Sequence, residues 1–187
     1  MTTPALYRYF SSREHLITTL VQIAYASLNE ALEKSRDEFP PADHAGRFRA
    51  MCLAYHAWAI QHPQQYSLIF STPVPGYTMD AAAGQEADRS FMILLDVIDA
   101  AEKAGRLNSP FEKAPLTPGL KAQFAAVAAR GKGYSEKVIY LAIISWSFIH
   151  GITSLELNQH YALILADKAN EFIQLELERL IQSIGLK

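Results

Sequence analysis

The sequence predicts an all-α protein, and three observations lead to that prediction. Hydrophobic residues recur at three- and four-residue spacing through most of the 187 residues. No segment shows the alternation of polar and apolar residues, bounded by tight turns, that is typical of a β-strand. Helix-capping and helix-breaking residues divide the chain into segments of helical length. Because 50% of the residues are hydrophobic and 19% are charged, the chain has enough apolar material for the core of a folded domain.

The first third of the chain is predicted to hold two helices. A short helix covers residues 2–10, and after a serine turn Ser12 caps a long helix that runs to Glu38. The segment 39–41, Phe-Pro-Pro, ends it. Spacing predicts that the buried stripe of the long helix consists of Leu16, Leu20, Ile23, Ala24, Ser27, Leu28 and Ala31.

Four further helices are predicted in the middle of the chain, at 44–62, 64–70, 84–104 and 120–130. Proline-containing connections separate them at 71–78 and 108–119. We interpret the acidic side chains of the 84–104 helix as a solvated face, formed by Asp96, Asp99 and Glu102. Cys52 lies in an apolar stripe and is expected to pack in the core.

The last two predicted helices, at 135–157 and 167–184, carry more apolar surface than one core can bury. A second burial surface is therefore expected, most economically a symmetric dimer interface built as a four-helix bundle. The alternative is that both helices lie centrally in a monomer. The residues predicted for the dimer interface are Ile144, Phe148, Ile152, Phe172, Leu177, Leu180, Ile181 and Ile184.

The most specific motif lies at the amino terminus. It consists of Leu-Tyr-Arg-Tyr-Phe at 6–10, Ser-Ser at 11–12 and Arg-Glu-His-Leu at 13–16. On its pattern alone it is a capped helical hairpin with exposed polar residues. Its outward hydroxyl, aromatic and basic side chains suit contacts to phosphates and base edges. The candidate DNA-contacting residues are Thr2, Thr3, Pro4, Tyr7, Arg8, Tyr9 and Arg13.

This motif closely resembles the recognition helix, and the start of the following helix, in the TetR family of transcriptional regulators. Two later segments resemble the ligand domain of one subgroup of that family. They are His-Pro-Gln-Gln-Tyr-Ser-Leu-Ile-Phe at 62–70, and Trp146-x-x-x-His150-Gly151 followed by Ser-Leu-Glu-Leu at 154–157. The resemblance implies a TetR-like fold with a partial helix-turn-helix domain and connecting helix at 1–36. It also implies a ligand-binding and dimerisation domain at 37–187.

The resemblance also implies a chamber for a small effector in the aromatic-rich region between 44 and 157. The residues expected to line it are Tyr55, Trp58, Tyr66, Phe70, Phe91, Trp146 and His150. Any single one of these aromatic residues is more often part of a core. His150 lies within an apolar helix, where a hydrogen-bonded core histidine is the commoner role. Because no cationic cluster is evident, we expect a neutral or weakly polar hydrophobic effector.

The sequence departs from the family at its start. The family's DNA-binding domain has three helices, whereas this sequence begins at the turn before the third. Met1 is therefore expected to be an internal methionine of a longer protein or the start of a shorter form. In the form given, DNA binding is expected to be weak, because the recognition helix lacks the scaffold that sets its angle in the major groove.

The resemblance implies a ligand-responsive repressor that binds operator DNA as a homodimer and is released by the effector. The alternative is a dimeric small-molecule-binding or interaction protein without DNA binding. No nucleophile, phosphate-loop or dinucleotide motif argues for an enzyme, and no cofactor is expected. Glu156 and His160 are too few to predict a metal site. With no signal peptide, and an apolar stretch at 138–152 shorter than the ~20 residues of a membrane span, we expect a cytoplasmic protein with no membrane partner.

Overall fold

A computed structural model describes residues 9–71, 74–109 and 116–187 of the chain. Within these residues the regular structure is helical and contains no strand, which confirms the predicted all-α class. The helices are α1 (Arg13–Asp37), α2 (His44–Gln61), α3 (Pro63–Phe70), α4 (Ala81–Lys103), α5 (Pro118–Arg130), α6 (Glu136–Leu157), α7 (Ala162–Leu165) and α8 (Ala169–Ser183).

Short polar side chains fix where several helices begin. The hydroxyl of Ser12 accepts the backbone N–H of His15 at 3.1 Å, so α1 starts as predicted. The carboxylate of Asp80 accepts the N–H of Ala83 at 2.8 Å, and α4 therefore begins three residues before the predicted start at residue 84. The predicted helix at 2–10 falls almost entirely outside the described residues.

The end of the chain differs from the prediction in one element. A four-residue helix, α7, lies in the connection after α6, and the last helix begins at Ala169 instead of Asp167. Ala166, with a φ of 51°, separates α7 from α8. A single turn of helix is too short to leave a periodic pattern, so the sequence gives no signal for it.

The buried face of α1 is rotated by about one residue from the predicted stripe. Leu20 and Ile23, expected to be buried, are 44% and 53% exposed. The helix carries two adjacent apolar stripes with the same spacing, and the structure buries the one that contains the Tyr25 ring. The buried residues of α1 are Ile17, Val21, Ala24, Tyr25, Leu28, Asn29 and Leu32.

Two apolar clusters form the core, and α1 belongs to both. The larger cluster joins α2, α4, α6 and α8 with Leu28 and Leu32 of α1. The smaller one joins Ile17, Val21 and Tyr25 of α1 to Ala83 and to partly buried residues of α3 and the following loop. α1 therefore extends from the amino-terminal end of the described chain into the main core.

The helix α6 is long and apolar enough to cross a membrane by length and composition, and within the described residues only this helix is. This is weak evidence for a span, because the core helix of a soluble protein passes the same test. Of its most apolar 18-residue window, 44% is buried inside the chain. Much of its apolar surface is thus left uncovered by the rest of the chain, including Ile143, Trp146 and Leu155.

The proposed interface residues of the last two helices divide into two groups. Leu177, Leu180, Ile181 and Ile184 are buried in the core of the single chain, together with Ile152, because α8 packs this face on α2 and α6. Their own chain already covers them, so little of their surface is left for the partner that the sequence suggested. Ile144, Phe148 and Phe172 are only partly buried.

The acidic residues of α4 are not the solvated face that we expected. Asp99 is buried and bonds to the Lys103 ammonium at 2.7 Å. Asp96 accepts the Tyr134 hydroxyl at 2.7 Å, and Glu102 accepts the hydroxyl of Ser135, the residue that caps α6. The carboxylates of Asp96 and Glu102 therefore join α4 to the start of α6, whereas the Asp99 contact stays within α4.

Candidate ligand-binding site

An apolar cavity of about 350 Å³ lies between α1, α2, α4 and α6, with Phe70 at the end of α3 closing one side. Its size lies in the range of small-molecule sites. The lining residues are Tyr25, Leu28, Leu32, Met51, Cys52, Tyr55, Phe70, Ala87, Asp88, Ser90, Phe91, Leu94, Ile143, Ser145, Trp146 and Ile149.

Four of the seven residues expected in a chamber line this cavity, and three do not. Tyr55, Phe70, Phe91 and Trp146 form part of its wall. Trp58 is absent from the lining, and its indole N–H donates to the hydroxyl of Ser27 at 3.1 Å. The spacing of an aromatic residue in a helix does not show whether its ring faces a cavity or a neighbouring helix. The sequence therefore could not separate the lining aromatic residues from the others.

Tyr66 and His150 lie behind the wall. The imidazole Nδ1 of His150 is 2.9 Å from the Tyr55 hydroxyl and 3.3 Å from the Tyr66 hydroxyl. The ring of His150 is also 5.1 Å from the Phe70 ring and 5.4 Å from the Trp146 ring, centroid to centroid. Three lining aromatic residues thus contact one histidine, which confirms His150 as a hydrogen-bonded histidine within the fold.

Burial lowers the pKa of His150 below its ordinary value of 6.5, because the charged imidazolium loses hydration there. Burial also raises the pKa of Tyr55, with smaller contributions from the neighbouring Tyr66. Both effects favour the uncharged forms. The wall is therefore held by neutral hydrogen bonds and ring contacts at neutral pH.

The contribution of α1 to the cavity was not predicted from the sequence. Tyr25, Leu28 and Leu32 have three- and four-residue spacing and thus share one helix face. That spacing was visible in the sequence, but it was assigned to a neighbouring stripe. Met51 and Cys52 of α2 were also missed as lining residues, because they read as core positions.

The polar groups of the cavity are few, and most already have partners. The hydroxyl of Ser90 donates to the Asn29 side-chain oxygen at 2.6 Å, and that of Ser145 donates to the Leu141 carbonyl at 2.7 Å. The Asp88 carboxylate accepts from Arg130 at 3.0 Å. Burial raises the pKa of the Cys52 thiol to about 12, so it is protonated at neutral pH.

Most of the candidate DNA-contacting residues, namely Thr2, Thr3, Pro4, Tyr7 and Arg8, lie outside the described residues. Tyr9 is 74% exposed. Arg13 is the first residue of α1, and its exposed guanidinium donates to the Pro75 carbonyl at 3.4 Å. These two side chains are therefore accessible at the end of the molecule where α1 begins.

No group of three metal-ligating side chains occurs within 9–71, 74–109 and 116–187. The Glu156 carboxylate lies 2.5 Å from the imidazole Nε2 of His56, and this contact joins α6 to α2. Glu156, weighed with His160 as a metal ligand on sequence grounds, therefore pairs with His56 of another helix.

Comparison with known proteins identifies the class. A family model described as the tetracyclin repressor-like C-terminal domain matches residues 48–180. The HTH-type transcriptional regulator Rv1816 of Mycobacterium tuberculosis is 29% identical over 171 residues, which cover 89% of this chain and 72% of that protein. The regulator Mb1846 of Mycobacterium bovis gives the same values.

Solved structures agree with these matches. SCO4313, described as a candidate regulatory protein, superposes with a TM-score of 0.73 and 30% identity over 97% of this chain and 80% of that one. A protein of unknown function from Rhodococcus sp. RHA1 has a TM-score of 0.70 over 99% of this chain and 79% of that one, but its 17% identity supports the fold alone.

The helical fold and these relatives define a transcriptional regulator. The chain belongs to the TetR family, in the group with the tetracyclin repressor-like C-terminal domain. Membership confirms the resemblance that the amino-terminal and Trp-His-Gly motifs indicated. A regulator of this kind is typically not an enzyme.

Proposed function

We propose that this regulator is a repressor that binds operator DNA as a homodimer and is released when a small hydrophobic molecule occupies the cavity. Residues 1–36 would carry the DNA-contacting side chains and the connecting helix, and residues 37–187 the ligand-binding and dimerisation functions. One observation carries the proposal. The helix α1 begins at Arg13, within the amino-terminal motif whose side chains are the candidates for DNA contact, and forms a wall of the cavity with Tyr25, Leu28 and Leu32.

The mechanism requires two conformations with different affinities for the ligand, because a ligand shifts an equilibrium only by its differential affinity. A dimer reads two half-sites about 34–36 Å apart, which is one turn of DNA. A ligand that displaces Tyr25 or Leu28 would move α1, and this movement would change the separation of the two DNA-contacting segments. Operator affinity would then fall.

Polar contacts join α1 to α4, which also lines the cavity. The fully buried Asn29 amide donates to the Glu86 carbonyl and to its carboxylate, each at 3.0 Å. The same side chain accepts the hydroxyl of Ser90, which lines the cavity. Movement of α4 would therefore be transmitted to α1.

For the dimer we propose the exposed apolar face of α6 and α8. Leu155 and Leu175 are 42% and 51% exposed, and Ile144, Phe148 and Phe172 are partly buried. A Cβ added at Gly151 would meet no atom within 4 Å, so a partner helix has room to approach there. The dimer thus keeps three of the eight interface residues that the sequence indicated.

Chromatin immunoprecipitation of the protein, tagged at its carboxyl terminus in its source cells, tests DNA binding in whatever form the cell makes. We expect a small number of occupied sites that contain inverted repeats. We then expect one compound from a panel of small apolar molecules to reduce occupancy. Occupancy that no compound changes would leave a regulator without the proposed ligand response.

A cavity-filling variant tests whether the compound acts by binding in the cavity. Ala87→Phe places a ring into the cavity from α4, whereas Ala125→Phe adds the same ring at an exposed position of α5. We expect Ala87→Phe to abolish the effect of the compound and Ala125→Phe to preserve it. Equal responses of both variants would place the ligand elsewhere.

The second candidate is a dimeric small-molecule-binding protein without DNA binding. It is favoured by the fact that cavity and core are complete within residues that follow the DNA-contacting motif. The intact mass of the protein from its source cells separates the two. A mass above 20.8 kDa with additional amino-terminal residues supports the repressor, and a mass of 20.8 kDa supports the alternative.

A further inference from the structure

The polar groups of the cavity provide acceptors for a ligand and few donors. The hydroxyl protons of Ser90, Ser145 and Tyr25 point to oxygen atoms of the protein, to Asn29, Leu141 and Ile69 respectively. The Tyr55 hydroxyl is joined to the neutral imidazole of His150. What these oxygens offer to a ligand is their remaining lone pairs.

This distribution disfavours an anionic ligand. Apart from the indole N–H of Trp146, the described lining offers few donors. A carboxylate or phosphate buried there loses its hydration and gains too few hydrogen bonds in return, which costs several kcal/mol. Among the described residues that line the cavity, none is a lysine, an arginine or a histidine. The cavity wall therefore lacks the groups that normally hold an anion.

One charged side chain is present in the described part of the lining, and it is acidic. Asp88 of α4 is at the rim, and its carboxylate is about half-exposed and paired with Arg130 of α5 at 3.0 and 3.2 Å. Arg130 is itself 54% exposed and does not line the cavity. An ion pair this open to solvent is weak, so a ligand cation can take the place of the guanidinium at little cost.

Aromatic rings complete a surface suited to a cation. Phe91 and Trp146 line the same cavity as Asp88, together with Tyr25, Tyr55 and Phe70. The faces of aromatic rings attract organic cations, and the tryptophan ring attracts them most strongly. The carboxylate, the rings and the acceptor oxygens all favour the same ligand charge.

We propose that the cavity binds a hydrophobic monocation, with its apolar body among the aromatic rings and its ammonium group at Asp88 in place of Arg130. The inference rests on the proposed function only in taking this cavity as the effector site. It replaces the neutral effector expected from the sequence with a lipophilic amine. It also gives Arg130 a role, as the intramolecular cation that the ligand displaces.

Three probes of nearly equal shape test the charge preference. Naphthylmethylamine, naphthalenemethanol and naphthoate are cationic, neutral and anionic at pH 7, and each is titrated against protein carrying the neutral dye Nile red. We expect the amine to displace the dye at about one tenth of the concentration that the alcohol needs. We expect naphthoate to need at least about ten times the concentration that the alcohol needs to displace the dye. Naphthoate binding as tightly as the amine would overturn the proposal.

Two surface variants localise the effect. Asp88→Asn removes the carboxylate, so the amine should lose its advantage over the alcohol while alcohol affinity stays unchanged. Arg130→Gln frees the carboxylate, so amine affinity should rise several-fold. Both side chains are about half-exposed, so the fold should tolerate either change. If Arg130→Gln instead weakens naphthoate and leaves the amine unchanged, Arg130 is the ligand-binding charge and the proposal is wrong.

The outcomes separate this inference from the proposed function. If all three probes bind equally and Ala87→Phe blocks them, the cavity is a ligand site without charge preference, and only the inference fails. If no probe competes and Ala87→Phe leaves Nile red binding unchanged, the cavity is not a ligand site. In that case the proposed ligand response fails as well.

Discussion

His150 shows how one side chain can hold several others in place. Its ring contacts Tyr55, Phe70 and Trp146, which line the cavity, and Tyr66, which lies behind them. The Trp-x-x-x-His spacing places Trp146 and His150 one helical turn apart, so their proximity follows from the helix itself. It did not predict the tyrosine partners, because these come from α2 and α3 and only the tertiary fold brings them together.

The depressed pKa of His150 should make stability depend on pH. Below pH 6.5 the unfolded chain binds a proton on this residue and the folded chain does not, so the free energy of unfolding falls as the pH drops from 6.5 to the folded pKa. We expect His150→Gln to reduce this dependence in urea titrations between pH 5 and pH 7 (a range of roughly two units around the ordinary histidine value). Parallel curves for wild type and His150→Gln would contradict the assignment.

The buried thiol of Cys52 should be unreactive in the native protein. A pKa of about 12 in place of 9.0 lowers the thiolate fraction about 1,000-fold near pH 8. We expect reaction with a disulfide reagent to be slower than in guanidinium by at least that factor, since burial also limits access. Bound ligand should slow it further, because Cys52 lines the cavity. Rapid native labelling would show that the cavity opens readily.

At the scale of elements, the boundaries of the predicted helices within the described residues were correct to within three residues, whereas the buried face of α1 was not predicted. Caps and prolines are local signals, and Ser12 and Ser135 each accept a backbone N–H at the helix start predicted from them. Thr117 also caps a helix, α5, which begins two residues before its predicted start. The orientation of α1 is decided by which apolar stripe meets the other helices. That choice depends on Tyr25 packing against Phe70 and on Asn29 bonding to α4, which are long-range contacts.

The end of the chain is fastened to the end of α4 by a backbone clasp. Asn108 donates its N–H to the Gly185 carbonyl at 2.8 Å, and Lys187 donates to Arg106 at 2.9 Å. Gly185 has a φ of 70°, and a Cβ there would overlap the Asn108 carbonyl. The clasp therefore requires glycine on both conformational and steric grounds.

Two glycine variants separate the cost of a positive φ from the cost of the steric clash. Gly133 has a φ of 77° and open space around it, so Gly133→Ala should cost only about 1 kcal/mol of stability from backbone strain. Gly185→Ala adds a clash with backbone and should cost about 3 kcal/mol. Urea denaturation of both variants measures the difference. Equal losses would show that the clasp is not formed.

At the scale of the whole molecule, the class and family were evident from sequence, whereas the division between core and interface was not. A strongly apolar helix must be buried, but the sequence does not say whether its own chain or a partner covers a given residue. Leu177 and Leu175 are two positions apart, and the structure buries the first and exposes the second. Such a distinction depends on how α8 is rotated against α2.

The proposed dimer gives a direct test of the exposed residues. Leu175→Glu places a charge on the open face of α8 and should convert a dimer of about twice 20.8 kDa to a monomer with an unchanged helical spectrum. Leu120→Glu changes an equally exposed leucine of α5 and should leave the dimer intact. Light scattering after gel filtration measures both. A monomeric wild type would refute the interface.

The sharing of one cavity among four helices has a consequence for engineering a biosensor from this regulator. Tyr25, Leu28 and Leu32 belong to the helix that would carry the signal, so mutating them alters recognition and output together. Phe91, Ile143 and Trp146 line the same cavity from α4 and α6. A mutant library that retunes ligand selectivity while preserving the switch should therefore randomise positions 91, 143 and 146 and keep α1 fixed.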